Sequence, residues 1–151
     1  MKITVLCVGK IKEAYFRDAI AEYKKRLSGY CEIEITEVAD DADSDRAVEA
    51  EGERLLEKLP DRAYVIALCI DGKKLDSVGL SKKFSELMVG GNSHIVFVIG
   101  GSCGLSKKVI EKADYRLSFS DMTFPHQLMR VILLEQIYRS FRIMRGEPYH
   151  K

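Results

Sequence analysis

Three short apolar runs constrain this chain more than anything else in it: Lys2–Val8 (KITVLCV), Ala63–Ile70 (AYVIALCI) and His94–Ile99 (HIVFVI). Each is six to eight residues long, rich in β-branched side chains, and closed by glycine or Asp-Gly: Gly9, Asp71-Gly72 and Gly100-Gly101. Runs this short and this continuous suit strands covered on both faces, as in a parallel sheet. Between them lie segments with apolar residues at helical spacing, such as Phe16, Ala19, Ile20, Tyr23 and Leu27.

The remaining elements follow the same alternation. A helix over about 13–27 ends at Ser28-Gly29, and Glu32–Val38 alternates glutamates with Ile33, Ile35 and Val38, which suits a strand with one wet face near a sheet edge. A helix over about 45–59 stops at Pro60; the 63–70 strand ends at Asp71-Gly72, with a loop over 73–77; helices over about 80–89 and 105–112 flank the 94–99 strand. Tyr115–Phe119 is a further strand, and a long helix runs from Pro125 to about Arg145, where Gly146 and Pro148 stop it. The expectation is one α/β domain over residues 1–151, with a mostly parallel sheet and helices on both faces. In such sheets ligands sit beyond the carboxyl ends of the strands, which puts residues 95–127 at the centre of any site.

Charge and cysteines exclude several classes. Net charge is +1, yet residues 1–27 carry seven Lys/Arg against three Asp/Glu, residues 32–61 three against twelve, and residues 125–151 five against two. Such asymmetry fits a phosphate-bearing partner and fits equally a solvated acidic helix. Cys7, Cys31, Cys69 and Cys103 form no CxxC pair, so they read as reduced thiols in a cytoplasmic protein. The aspartates of residues 40–45 lack the glycine and distal glutamate of a calcium loop, and no metal is expected. No run approaches the ~18 apolar residues of a membrane span, and the start of the chain does not read as a signal peptide.

The motifs are mostly negative evidence. Gly100, Gly101 and Gly104 miss the GxGxxG fingerprint, and no GK[ST] follows. Asp71 at a strand end suggests a phospho-acceptor, but Gly9-Lys10 stands where magnesium-binding acids would be needed. There is no GxSxG. Cys103 beside glycines admits a reactive thiol. His94 reads as structural, while His126 in the first turn of the last helix faces the crevice and His150 lies in the tail; each is a polar contact or a proton acceptor. Arg130, Arg139, Arg142 and Arg145, with Tyr138 and Tyr149, make the last helix basic and aromatic, suited to phosphates and unstacked bases or to a solvated face.

Read together, VIGGSCGLS (Val98–Ser106), LSFSDMTFPHQLMRVILLEQIYRSF (Leu117–Phe141), the terminal GEPYHK and the opening KITVLCVGKIKEAY resemble the large-subunit rRNA methyltransferase H family, a branch of the SPOUT methyltransferases. The resemblance spans essentially the whole chain. It implies a C-terminal trefoil knot, a homodimer packed through the last helix, and S-adenosylmethionine as cofactor. By position it implies cofactor contacts at Leu68, Gly100 and the run Phe119, Ser120, Asp121, Met122, Thr123 and Phe124, with no role assigned to the charge of Asp121. The implied substrate is N3 of a pseudouridine in 23S rRNA of the assembled ribosome. Tyr149 and His150 are the implied candidates for assisting loss of the N3 proton, reaching from one subunit toward the cofactor of the other, with His126 and Arg139 shaping the substrate side. Arg130, Arg142 and Arg145 are expected on the RNA. The alternatives are a non-catalytic ribosome-binding or assembly factor of the same fold, and a flavodoxin-like nucleotide binder.

Overall fold

The computed structural model describes residues 1–42 and 46–151. Ten elements alternate along the chain: β1 (Lys2–Val8), α1 (Ala14–Leu27), β2 (Glu32–Val38), α2 (Ala47–Lys58), β3 (Tyr64–Lys74), α3 (Ser77–Val89), β4 (His94–Ile99), α4 (Lys107–Lys112), β5 (Tyr115–Ser118) and α5 (His126–Met144). The strands form one sheet in the order β2-β1-β4-β3-β5, and every pairing is parallel. Parallel neighbours need long crossovers, which is why a helix separates each consecutive pair.

The period of two along each strand sorts its side chains between two cores. From β1, Ile3, Val5 and Cys7 join Ile95, Phe97 and Ile99 of β4 beneath α1, α3 and α5, while Leu6 and Val8 join Val96 and Val98 beneath α2 and α4. Residues 95–98 are wholly buried because β4 is the middle strand with helices on both faces. Phe84 of α3 and Phe141 of α5 close the first core, with ring centroids 5.8 Å apart. The alternating glutamates of β2 lie on the expected edge strand. Among the described residues no helix is long and apolar enough to cross a membrane.

Three boundaries differ from the sequence reading by two residues or more. First, β3 does not stop at Asp71-Gly72. Its pairing with β5 shifts register between Leu68 and Lys73 and then resumes as far as Lys74. Gly72 makes this possible: a Cβ there would lie 2.7 to 2.8 Å from the backbone of Arg116 and Leu117. The turn signal thus marks an irregularity that displaces residues 69–72 from the ladder, not a strand end. Second, α3 starts three residues earlier than its apolar pattern, because the Asp76 carboxylate caps it by accepting from the Gly79 N–H at 2.6 Å. Third, α4 starts after Ser106, whose hydroxyl accepts from the Val109 N–H. The start expected for α2 at Asp45 lies outside the described residues, and so does part of the 40–45 aspartate run.

Candidate active site

Beyond the carboxyl ends of β3, β4 and β5 the chain leaves a cavity of about 710 Å³. Leu68, the last residue of β3 before the register shift, lines it together with Cys69 and Ile70 of the displaced stretch. The 99–105 turn supplies a second wall, and Leu117–Ser120, Met122–His126 and Met129 supply the rest. The size suits a small-molecule cofactor.

Close backbone packing shapes the cavity. A Cβ on Gly100 would fall 2.6 Å from the carbonyl carbon and oxygen of Gly104, so the two limbs of the turn touch backbone to backbone. Gly104 holds a positive φ of 82° and donates its N–H to the Gly101 carbonyl at 3.0 Å. On the opposite wall, the Ser118 hydroxyl donates to the Ser120 carbonyl, and the Met122 N–H donates to the Ser120 hydroxyl at 3.0 Å. These local bonds set the shape of the 118–122 turn before any ligand arrives.

Of the residues expected at the cofactor, Leu68, Gly100, Phe119, Ser120, Met122, Thr123 and Phe124 all line the cavity. Asp121 does not: its carboxylate pairs with Lys74 at 2.6 Å, both groups well exposed. The charge therefore serves a surface pair of little energetic weight.

His126 borders the same cavity where α5 begins, close to the turn after β1; a Cβ on Gly9 would lie 4.0 Å from its Nε2. Burial, and then the positive charge of Arg130, hold its pKa below the ordinary histidine range, against the weaker pull of Glu51 and Asp40. Near neutral pH the ring is therefore neutral and able to accept a proton.

Arg130 is a correction. Expected on RNA, it is 0% exposed. Its guanidinium donates to Glu37 Oε2 at 2.6 Å, to the Val8 carbonyl at 2.8 Å and to the Gly9 carbonyl at 2.7 Å. From this position it meets no macromolecule; it closes the end of β1 onto α5.

Sequence reasoning also missed Glu51. It lies on α2, which reads as a solvated acidic helix, yet it is only 4% exposed. One oxygen accepts from the Asp41 N–H at 3.0 Å, and the other has no hydrogen-bond partner among the described residues. It packs behind the cavity wall, 3.1 Å from where a Gly101 Cβ would be. No spacing in the sequence distinguishes it from its exposed neighbours. Of the cysteines, Cys7 is buried with its pKa pushed up to about 12, chiefly by burial, and Cys31 is pushed up to about 11 for the same reason. Cys103 instead stands exposed on the cavity wall.

The remaining candidates gather elsewhere. Arg139 donates to Glu135 Oε1 at 2.7 Å, lies 4.7 Å from the centre of the Tyr149 ring, and has His150 Nδ1 3.2 Å from its Nη1. The Tyr149 hydroxyl donates to the same Glu135 oxygen at 3.1 Å. Burial and that bond raise the phenol pKa above its ordinary value, so Tyr149 is a proton donor here. Arg142 is held by Glu147 at 2.7 Å, the Tyr30 hydroxyl and the Pro148 carbonyl. Arg145 is exposed, its guanidinium 4.4 Å from the Tyr30 ring centre. None of these residues lines the cavity. Arg139 is thirteen residues along α5 from His126, about 20 Å at 1.5 Å per residue. One chain therefore unites the expected cofactor residues with His126, but not with Arg139, Tyr149 and His150.

Comparison with known proteins places this architecture. The chain is 55% identical, over the full length of both, to "Ribosomal RNA large subunit methyltransferase H" of Bifidobacterium adolescentis. A solved "probable methylase family protein" from Haemophilus influenzae shares the fold, with a TM-score of 0.59 at 13% identity, over 99% of this chain and 70% of that one. The family profile described as "Predicted SPOUT methyltransferase" matches residues 1–150, and the chain belongs to the SPOUT methyltransferase family.

Proposed function

We propose that this protein transfers a methyl group from S-adenosylmethionine to large-subunit rRNA, at N3 of a pseudouridine in the assembled ribosome. The observation that carries the reading is the preformed cavity at the strand ends, whose walls are backbone-rich turns packed too closely at Gly100 for any side chain. Such walls offer N–H and C=O groups to a purine edge and apolar surface to its faces. The full-length likeness to a methyltransferase named for large-subunit rRNA supports the substrate class.

Leu68, Gly100 and the 119–124 turn would hold the cofactor, with Asp121 contributing through its backbone. When bound, S-adenosylmethionine supplies an activated methyl group on a sulfonium sulfur. The chain's task is then to position the base and manage its N3 proton, where alignment supplies much of the rate. His126, neutral on the cavity wall, would shape the substrate side and accept a hydrogen bond from that base. Tyr149 and His150 of a second copy of the chain would complete the site, since their own chain holds them against Glu135 and Arg139, outside its cavity lining. Tyr149 would act as a donor to a base carbonyl, and Arg139 would fix both tail residues through Glu135 and His150. This reading includes a homodimer and the trefoil knot of the C-terminal segment, both supported by the family membership.

The test is transfer of labelled methyl from S-adenosylmethionine to assembled ribosomes and to free subunits, with the modified nucleoside identified. The expected product is N3-methylpseudouridine, formed on assembled ribosomes. Binding of both cofactor and ribosome without transfer would instead indicate a non-catalytic assembly factor.

A further inference from the structure

The turn between β1 and α1 passes beside His126, and residues of α5, β2 and α1 fasten it from several sides. Arg130 donates to the carbonyls of Val8 and Gly9. Glu37, already paired with Arg130, accepts from the Ile11 N–H at 3.1 Å. The Lys12 N–H donates to Gln127 Oε1 at 3.3 Å, one residue from His126. Arg17 folds back from α1 to donate to the carbonyls of Ile11 and Lys12. Gly9 turns the chain with a φ of 86°. Each of these bonds uses the backbone of the turn. The side chains of Lys10 and Lys12 are exposed and have no ion-pair partner among the described residues.

This is an unusual use of bonding capacity. A buried arginine, a glutamate, a glutamine and a second arginine all hold a four-residue turn whose two lysines do nothing for the fold. Exposed lysines on a floppy loop are ordinary surface. Lysines on a backbone fixed from several sides, against the residue that borders the reaction cavity, are presented in a defined place. Ammonium groups carried on a fixed backbone at that spot fit anionic oxygens flanking whatever enters the cavity. Asp40 is an acidic group whose charge also reaches His126, and it opposes them.

We propose that the Gly9–Lys12 turn is the RNA-backbone contact beside the target nucleotide, with Lys10 and Lys12 each against a phosphate, and that the buried Arg130–Glu37 pair exists to hold it there. The proposal rests on the functional reading above. It relocates the RNA-facing charge from the far end of α5 to the edge of the cavity, and it gives Arg130 a positioning role.

The experiment is methyl transfer to assembled ribosomes by Lys10→Glu/Lys12→Glu, followed across a salt series, with cofactor affinity and dimer mass measured on the same samples. Lys58→Glu/Lys82→Glu, which reverses two exposed lysines on α2 and α3, matches the change in net charge. The expected result is a ribosome KM raised about tenfold or more and a log–log salt slope smaller by about 1 to 2, one step per phosphate lost. Cofactor affinity, dimer mass and the Lys58/Lys82 variant should match the wild type, and Asp40→Asn should lower KM. Wild-type transfer by Lys10→Glu/Lys12→Glu would overturn the contact, as would an equal loss in the Lys58/Lys82 variant or dissociation of the dimer. A wild type that binds cofactor but moves no methyl to rRNA would overturn the functional reading itself, and the contact with it.

Discussion

The two ends of α5 carry similar residues and do opposite things. At the first end, His126, Met129 and Arg130 face inward, two of them onto the cavity and the third into a buried ion pair. At the other, Arg139 and Arg142 hold a tail of tyrosine and histidine on the surface, and Arg145 lies over the Tyr30 ring. Arg130 and Arg139 are nine residues apart, two and a half helical turns, so they project from opposite sides of the helix. One arginine therefore completes the interior and the other never reaches it. A single chain builds the cavity at one end and a polar, aromatic cluster at the other; on the functional reading the cavity holds the cofactor and only a second chain brings the two together.

The most severe way to break this division is to remove the tail. Deleting Tyr149, His150 and Lys151 should lower methyl transfer on the order of 10² to 10⁴-fold, the range for losing a positioned proton donor or acceptor. Cofactor affinity should stay unchanged, because no deleted residue lines the cavity. Loss of cofactor binding in that variant would show that the tail belongs to the cradle of its own chain.

Gly100→Ala attacks the other end. Its methyl group must displace the Gly104 backbone, now 2.6 Å from that position, so the turn shifts. The expected outcome is a cofactor affinity lowered by about 100-fold, with stability reduced by about 1 to 3 kcal/mol as for other overpacked sites. Titration with S-adenosylmethionine and urea unfolding check the two parts. Mixing this variant with the tail-deleted one sharpens the comparison further. In a symmetric dimer half of the random pairs restore one complete site, and roughly a quarter of wild-type activity should return. A mixture as inactive as its components would place cradle and tail in the same chain.

How much of this was legible beforehand depends on where the information lies. The strand runs and the cavity at their carboxyl ends were legible because burial on both faces leaves continuous apolar stretches. Gly100, Leu68 and the 119–124 run were placed by family resemblance, and all but Asp121 line the cavity. What could not be read was the partner of each charge. Arg130 and Arg145 look alike in sequence, and only the sheet, which brings Glu37 and the end of β1 to α5, makes one of them interior. Glu51 was hidden for the same reason: on α2 it is one glutamate among several, buried because the 100–104 turn packs over it. Gly72 misled for the converse reason, since a turn signal and a glycine required by close packing look identical.

A smaller effect tests the interior role of Arg130. Arg130→Met would leave Glu37 facing a buried apolar group, and the carbonyls of Val8 and Gly9 without their donor. Breaking a fully buried pair costs about 3 to 5 kcal/mol, but the Glu37 side chain is 34% exposed and water can take up part of its charge, so about 2 to 3 kcal/mol is expected. Arg130→Lys should recover only part of this, because one ammonium cannot replace a fork that serves a carboxylate and two carbonyls. The urea midpoints of the three proteins check the order. A midpoint for Arg130→Met equal to wild type would mean that the pair does no more than a methionine in its place.

The smallest effect concerns His126 and pH. Burial first, and the Arg130 charge second, hold its pKa below the ordinary value of about 6.5. As pH falls through that value the unfolded chain takes up a proton that the folded ring refuses, so stability falls with pH down to the folded pKa and levels off below it. His126→Gln removes this contribution, and its unfolding free energy should decline less steeply than that of the wild type between neutral and mildly acid pH. A slope of the same sign should remain, because His94, also held low chiefly by burial, is still present. Removing both histidines should flatten the region further. If His126→Gln follows the wild-type curve throughout, the ring is no harder to charge in the folded protein than in water. It would then be protonated at the acid end of the range where transfer is assayed, and its place as a neutral acceptor at the cavity would be lost.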